Sequence, residues 1–392
     1  MMADRAKTMT FPNTVSLPGV HRLPFWTPIF WVLMAGGAYV AYLRLFRGLG
    51  AVTNLSDQFP WGLWIGFDVL CGVGLAAGGF TLVAVVHIFN LKRYKPILRP
   101  AILTAFLGYV LVVVALLFDL GRPDRIWHPL VMWNPHSVMF EVAWCVMLYT
   151  SVLALEFVPA VCERFGWKAP LNVLRAISIP VVILGVILST LHQSSLGSLY
   201  LIVPEKLYPL WYTPLMPALF YISAICVGVA MTIFESWHSS REFGRHIEMP
   251  LLSGMARLLA VLLSMYIALR LMDLAQRGGL GLVLVPRMET YLWLLEMSLL
   301  IVPALLLYSY RVRHSAPALY ACSLMVVFGF IANRLNVSVT GMEAGLGVHY
   351  VPKWTEVTVT LAVVALGFAV FRFAARRLPI FEGAELGQKP VP

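Results

Sequence analysis

Charged residues are scarce in this chain. Only 12% of its 392 residues are Asp, Glu, Lys or Arg, while 60% are hydrophobic. A soluble protein carries about twice that charged fraction. No polar stretch is long enough for a separate aqueous domain, so the excess apolar surface is expected to face lipid.

A cleavable export signal is also missing. Residues 1–23 contain several basic residues and prolines but no apolar core of the kind that a signal peptide needs. We therefore expect the first apolar run to remain in the protein as a membrane helix.

Ten apolar segments follow along the chain. They cover residues 25–48, 60–90, 98–120, 136–162, 172–193, 214–238, 251–275, 289–311, 316–338 and 355–378. Each reaches the roughly 20 residues that a membrane-spanning helix needs. The sequence thus predicts an all-α, polytopic transmembrane bundle over residues 24–378. It is flanked by an N-terminal segment, 1–23, and a short polar tail, 379–392.

The basic residues predict the orientation of this bundle. With ten spans, 19 of the 29 Lys and Arg residues fall on the side that holds both termini, and eight fall on the other. Because cytoplasmic loops carry the excess of Lys and Arg, both termini are predicted to be cytoplasmic. The net charge of +10 is spread over short loops, which argues against a nucleic-acid partner.

Metal-ligand motifs are missing as well. The five cysteines are scattered, without a CxxC pair or a Cys/His cluster, so no zinc site or iron–sulfur cluster is expected in this chain. A b-type haem needs two histidines at one depth. His87 and His192 fall at opposite faces, and His238 could pair only with His87 at the interface, so no haem is expected either.

The few polar residues of the apolar segments share one half of the membrane, on the side opposite the termini. Those within or at the edges of the segments are Asp68, Asp119, Arg122, Glu141, His192, Gln193, Arg270, Asp273, Glu289, Glu296, Arg334 and Glu356. Charged side chains inside a bilayer cost about 2.5–3.5 kcal/mol and usually mark a functional pathway. Solvated helix ends would explain some of them, and Arg270 and Asp273, three residues apart, would neutralise each other.

A second set of residues extends from this cluster towards the cytoplasm. Tyr149 and Glu156 are seven residues apart and share one helix face with Glu141. Tyr109 falls near the middle of the third segment, and Glu235 near the cytoplasmic end of the sixth. They would suit proton transfer, although solvated helix ends and a packed tyrosine explain them equally well.

Glycines recur every four residues in the second segment, at Gly62, Gly66, Gly74 and Gly78. Such spacing predicts a surface for close helix contact.

Several motifs resemble the NrfD/polysulfide-reductase family of membrane subunits. They are Phe-Pro-Trp-Gly-Leu-Trp-Ile-Gly-Phe-Asp at 59–68, Leu-Arg-Pro-Ala at 98–101, Ser-Val-Met-Phe-Glu at 137–141, Leu-Glu-Phe-Val-Pro-Ala at 155–160 and His-Gln-Ser-Ser-Leu-Gly-Ser-Leu at 192–199. The likeness covers about residues 46–379. It is strongest to the HybB-like branch of ten-helix hydrogenase subunits, although sister DsrP and Hmc-type subunits share these motifs.

The resemblance implies a menaquinone-reactive subunit of the bacterial inner membrane, without a redox cofactor of its own. It would exchange electrons with a periplasmic ferredoxin-like iron–sulfur subunit, fed by catalytic hydrogenase subunits or a multihaem cytochrome. The quinone site would comprise Asp68, His192, Trp61, Trp64 and Gln193. A proton route from the cytoplasm would use Arg99, Tyr109, Glu141, Glu156 and Glu235.

Two alternatives from other classes remain at this point. A secondary transporter also uses intramembrane carboxylates, but it is typically built on repeats and on paired helices that break at mid-membrane, neither of which is visible here. A purely structural anchor for a periplasmic enzyme would need one helix rather than ten.

Overall fold

The computed structural model of the protein describes residues 26–244 and 247–381. Its ten helices, each long and apolar enough to cross a membrane, confirm the predicted architecture, and no strand occurs in these two ranges. The helices are α1 Trp26–Arg47, α2 Trp64–Ile88, α3 Lys92–Asp119, α4 Val138–Phe165, α5 Ser178–Leu201, α6 Met216–Phe243, α7 Met249–Gln276, α8 Met288–Leu306, α9 Ala316–Leu346 and α10 Trp354–Arg377. The predicted segment 1–23 and most of the tail 379–392 lie outside the described residues.

Contacts between helix ends show how the ten spans alternate. At one end, which we call the terminal side because α1 begins and α10 ends there, Arg376 of α10 pairs with Glu242 of α6. At the opposite end, the distal side, Arg44 near the end of α1 donates from Nε to the Phe118 carbonyl of α3 at 2.6 Å. The described ends of the bundle therefore lie on one side, as predicted; its assignment to the cytoplasm stays a prediction.

Helix α2 runs through the centre of the bundle and packs against α3, α6 and α9. Its glycines permit this, as their spacing predicted. A Cβ on Gly74 would lie 2.1 Å from the Phe330 ring of α9, and one on Gly78 would lie 2.9 Å from the Gly228 carbonyl of α6.

Two of the spans depart from regular α-helical geometry. Helix α2 has π-helical turns at Trp64–Cys71 and Ala84–Ile88, with a tight turn at residues 76–77 between them. Helix α9 has a π-helical stretch at Asn336–Thr340. Because such bulges widen the turn, they change which residues face a neighbouring helix, and hydropathy carries no signal for them.

The connection from α9 to α10 folds back onto the start of α2. The buried hydroxyl of Tyr350 accepts from the Leu63 backbone N–H at 2.9 Å and donates to Glu356 of α10. Burial, together with this bond to Glu356, raises the pKa of Tyr350 above its usual value. The side chain of Glu356 also accepts from the backbone N–H of Asn54 at 2.8 Å, so Glu356 ties the distal ends of α2 and α10 together.

Candidate functional site

His192 lies in the interior of α5, nine residues before the helix ends at Leu201. The prediction that α5 ends at His192 and Gln193 was therefore wrong. The apolar run stops at these residues, but the helix continues, and the serines that follow satisfy their own hydroxyls within it: the Ser194 hydroxyl lies 2.9 Å from the Thr190 carbonyl and that of Ser195 lies 2.8 Å from the Leu191 carbonyl. Bonds of this kind, from a serine hydroxyl to the carbonyl four residues earlier, allow a polar stretch to continue a helix.

Side chains from α3, α4 and α5 meet around this histidine. The Tyr109 ring centroid lies 5.6 Å from that of His192 and 4.7 Å from that of Tyr149. Ser189, one turn before His192, lies beside Tyr149. We call Tyr109, Tyr149, Ser189 and His192 the histidine cluster. Its members are fully buried or nearly so.

The polar atoms of the histidine cluster are unusually free. In the described part of the chain, none of the two tyrosine hydroxyls, the Ser189 hydroxyl and the two His192 ring nitrogens has a hydrogen-bond partner of ordinary geometry. A buried polar group left unpaired costs about 1–3 kcal/mol. Five such atoms on three helices are therefore suited to bind a polar ligand rather than to stabilise the fold.

Neighbouring residues connect the histidine cluster to α2 and to the distal side. The Gln193 amide donates to the Val73 carbonyl of α2 at 3.2 Å. The Ser195 hydroxyl, three residues after His192, also lies 2.6 Å from the exposed Glu141 carboxylate, so its one proton can be donated either there or to the Leu191 carbonyl. Glu141 thus lies on the distal side of the cluster, within reach of solvent.

The other predicted quinone-site residues lie elsewhere. Asp68 accepts from the Thr360 hydroxyl of α10 at 2.8 Å, and the Trp64 indole donates to the Glu356 carbonyl at 3.1 Å. Trp61 contacts Tyr200 of α5, with ring centroids 5.8 Å apart.

Among the described residues, no hydrogen bond or ring contact joins Asp68 to His192. Asp68 belongs instead to an acidic cluster with Asp119 and Glu356, which interact electrostatically and lie near Arg44. The predicted set therefore forms two groups, with His192 and Gln193 in one and Asp68 and Trp64 in the other.

Two predicted proton-route residues on the terminal side have different positions. Glu235 lines a crevice, and Glu156 lies on a face of α4 that leads inward. The crevice, of about 50 Å³, is lined by Glu235 of α6, Pro100 of α3 and Glu248, which directly precedes α7. The Glu235 carboxylate accepts from the Thr104 hydroxyl at 2.8 Å. Glu156 lies over Gly185 of α5: its carboxylate would be 3.6 Å from a Cβ added there.

Arg99 has structural partners at the same end. It pairs with Glu163 of α4 at 2.9 Å and donates to the Pro379 carbonyl at 2.9 Å. These contacts anchor the chain after α10 to α3 and α4. A role for Arg99 in proton transfer stays a prediction.

A separate buried network joins α6, α7, α8 and α9. Glu296 is fully buried; it pairs with Arg270 at 3.2 Å and accepts from the Trp211 indole at 2.9 Å. Asn333 and Asn336 donate to the same carboxylate at 2.8 and 2.9 Å.

Arg270 and Asp273 interact electrostatically, as predicted, but each forms its ion pair with another residue. Asp273 pairs with Arg277 at 2.7 Å. Every oxygen of Glu296 has a hydrogen-bond partner, so this network is suited to holding four helices together. Sequence reasoning missed it because the partners of Glu296 are distant in sequence.

Ser189 and Tyr200 are the other site residues that sequence reasoning missed. Ser189 shares a face of α5 with His192 at a spacing of three, which was a usable signal once α5 was known to continue. In residues 26–244 and 247–381, no three His, Cys, Asp or Glu side chains are placed to hold a metal ion.

Comparison with known proteins gives a consistent set of relatives. Residues 51–344 match the polysulphide reductase NrfD family. The chain is 38% identical to a protein of Nitratidesulfovibrio vulgaris over 89% of this chain and 92% of that one. It is 34% identical to a probable Ni/Fe-hydrogenase 2 b-type cytochrome subunit of Escherichia coli, over 86% and 87% of the two chains. It is 29% identical to the integral membrane subunit of a menaquinone reductase of N. vulgaris, over 97% of each.

Proposed function

The chain belongs to the polysulphide reductase NrfD family of integral membrane proteins, and we propose that it is the quinone-reactive subunit of a respiratory redox complex in the bacterial inner membrane. The observation that carries the proposal is His192, a fully buried imidazole whose two ring nitrogens have no partner in the described part of the chain. The relative named as a menaquinone reductase subunit supports menaquinone as the substrate.

The histidine cluster provides the groups that quinone reduction requires. Reducing a quinone to a quinol takes two electrons and two protons. The His192 imidazole is a side chain suited to donate a proton to a quinone carbonyl and to take up another afterwards. The Tyr109 and Tyr149 hydroxyls can donate hydrogen bonds to the same carbonyl, and their rings provide an apolar wall. Asp68 and Trp64 would act from the α10 side of α2, at a distance from the reacting carbonyl.

Electrons would enter from the distal side. There the α3–α4 connection exposes an apolar patch that includes Trp127, Val131 and Trp133, each at least half exposed. Exposed apolar surface of this kind is typical of a protein interface. We propose that it binds an iron–sulfur subunit of a NiFe hydrogenase, a donor that the E. coli relative favours. A cytochrome-linked or sulfur-metabolism complex is the alternative donor.

Haem is not part of this proposal, although the E. coli relative is named as a b-type cytochrome. His87 and His238 lie near the terminal-side ends of α2 and α6, whereas His192 lies in the interior of α5. A histidine ligand pair at the depth of His192 would need a second histidine there.

Protons can reach His192 from either side. On the distal side, Glu141 and Ser195 form a short hydrogen-bonded connection to the turn that follows His192. On the terminal side, Glu235 lines the crevice and accepts from Thr104. Glu156 and Tyr149, about 10 Å apart, extend the route inward along one face of α4. We propose that the terminal-side route supplies the protons, which makes quinone reduction move charge across the membrane.

A histidine substitution tests the proposal. His192→Ala in the native complex is expected to lower menaquinone reduction at least about 100-fold, the usual contribution of a positioned proton donor. Reduction of an artificial dye by the electron-donor subunits should be unchanged. His238→Ala, which removes a histidine that packs against Phe234 and Tyr320 on α6 and α9, is the control. If His192→Ala retains normal quinone activity, the proposed site is wrong.

A further inference from the structure

Helices α1 and α10 cross closely near the middle of the membrane. A Cβ on Gly36 would lie 3.0 Å from Thr358, and one on Gly37 would lie 2.7 Å from the Cβ of Ala362. From this crossing to the terminal side, the two helices enclose a groove of about 860 Å³. Its walls come from Trp26, Phe30 and Leu33 on α1 and from Ala365 and Phe368 on α10.

The walls of this groove are apolar and open to the surrounding membrane. Trp26, Phe368 and Phe373 are each more than 60% exposed. The groove is many times larger than a water molecule, which takes about 30 Å³ in the liquid. It therefore has room for hydrocarbon chains. The groove runs along two membrane helices, so hydrocarbon chains bound in it would lie parallel to the surrounding lipid tails.

Arginines line the terminal-side end of the groove, at the depth of lipid headgroups. Arg372 and Arg376 both pair with the Glu242 carboxylate, at 2.7 and 3.1 Å. Arg377 lies 5.2 Å from the centroid of the Phe373 ring and has no ion-pair partner within the described ranges. Two guanidinium groups share one carboxylate, and the third has no ion pair among the described residues, so this end carries excess positive charge.

The groove therefore combines long apolar walls with a cationic end. The sequence that precedes Trp26 is itself basic, with Arg5, Lys7 and Arg22 against Asp4, so its charge does not complement these arginines. A molecule with hydrocarbon chains and an anionic head does.

We propose that this groove binds one anionic phospholipid, with its acyl chains between α1 and α10 and its phosphate on Arg377 and the neighbouring arginines. The site is separate from the histidine cluster and does not depend on the proposed quinone chemistry. Arginine near a membrane surface attracts anionic lipid, and among the described residues Arg377 has no ion pair to lose.

Native mass spectrometry of the full-length protein, with added phosphatidylglycerol or phosphatidylcholine, tests this proposal. The wild type is expected to retain one phosphatidylglycerol in preference to phosphatidylcholine. Arg377→Gln should weaken this binding about fivefold, the effect of one surface arginine. Ala365→Trp, which fills the groove, should abolish it. Controls are Arg311→Gln, in the loop after α8, and Leu295→Trp, on the exposed face of α8.

Several outcomes would overturn the proposal. One is unchanged phosphatidylglycerol retention in both groove variants; another is equal retention of the two lipids with no effect of Arg377→Gln. A third is displacement of the lipid by added menaquinone, which would make the groove a quinone site. A fourth is lipid binding that appears only after residues 2–25 are deleted, which would make that segment the occupant. Arg377→Gln removes no ion pair, so it keeps the test valid if Ala365→Trp fails to fold.

Discussion

At the scale of single residues, two kinds of buried polar group have opposite roles in this protein. Glu296 has a partner for each of its oxygens, from Arg270, Trp211, Asn333 and Asn336. His192 has none for either nitrogen in the described residues. Polar groups that are fully paired stabilise a structure, whereas unpaired ones cost free energy and persist where function needs them. The contrast distinguishes the structural network from the candidate site.

The Arg270–Glu296 pair is expected to contribute mainly to stability. Arg270→Met should destabilise the protein by about 3–5 kcal/mol, because it leaves the Glu296 carboxylate buried without its counter-charge. Arg270→Met combined with Glu296→Met should recover much of that loss. The thermal midpoint of the purified protein measures both effects.

An exposed ion pair provides the matched control for this prediction. Arg122 pairs with Asp124 at 2.9 Å on the distal surface, and Arg122→Gln should leave the midpoint unchanged. A normal midpoint for Arg270→Met, with loss of quinone activity instead, would place this network in the functional site.

The carboxylates on the two sides of the histidine cluster make separable predictions. Glu235→Gln and Glu156→Gln should each slow menaquinone reduction about tenfold or more, because a neutral amide cannot carry a proton along the terminal-side route. Glu141→Gln should have a much smaller effect, since the distal connection is not the proposed supply. Steady-state rates of the three variants, compared at equal protein level, measure this. The reverse ranking would assign proton supply to the distal side.

At the scale of helices, the number of spans could be predicted from hydropathy, whereas the register and shape of some could not. The start of α5 was predicted at residue 172, but Lys168–Ala176 forms a separate short helix and α5 begins at Ser178. Its end was predicted too early because the Ser194 and Ser195 hydroxyls bond within the helix. A hydropathy argument ends the helix at these polar residues, because it does not register that their hydroxyls are satisfied within the helix.

Prediction of the candidate site from the sequence met the same limits as prediction of the helix boundaries. His192, Gln193 and Tyr109 could be identified as polar or aromatic residues inside apolar segments and from their motifs. The pairing of Asp68 with Thr360 of α10 could not be predicted, because Asp68 lies in a π-helical turn of α2 and Thr360 is distant in sequence. A π turn holds more residues than an α turn and so rotates the face that follows it.

The close contact between α2 and α6 is expected to depend on glycine. A Cβ on Gly228 would lie 2.7 Å from backbone atoms of Ala77 and Gly78, which cannot move aside as a side chain can. Gly228→Ala should therefore destabilise the protein by about 1–3 kcal/mol through overpacking. Gly50→Ala, where an added Cβ meets nothing within 4 Å, is the control in the same thermal assay. Equal midpoints for the two variants would show that the helices separate without cost.

At the scale of the whole molecule, the arrangement separates electron and proton entry. The exposed apolar patch of the α3–α4 connection lies on the distal side, and the crevice beside Glu235 lies on the terminal side. The histidine cluster lies between them, with Tyr149 about 17 Å along α4 from its distal end. The positive-inside rule predicts that the terminal side is cytoplasmic. Under this arrangement, electrons from the periplasmic side meet protons from the cytoplasm at one buried site.

The membrane potential generated during quinone reduction tests this account most directly. The purified complex would be placed in liposomes containing menaquinone and driven by a reduced viologen from the distal side, with a potential-sensitive dye as the readout. The account predicts a potential, positive on the distal side, that is lost in Glu235→Gln at matched turnover. Quinone reduction at a normal rate without any potential would contradict it.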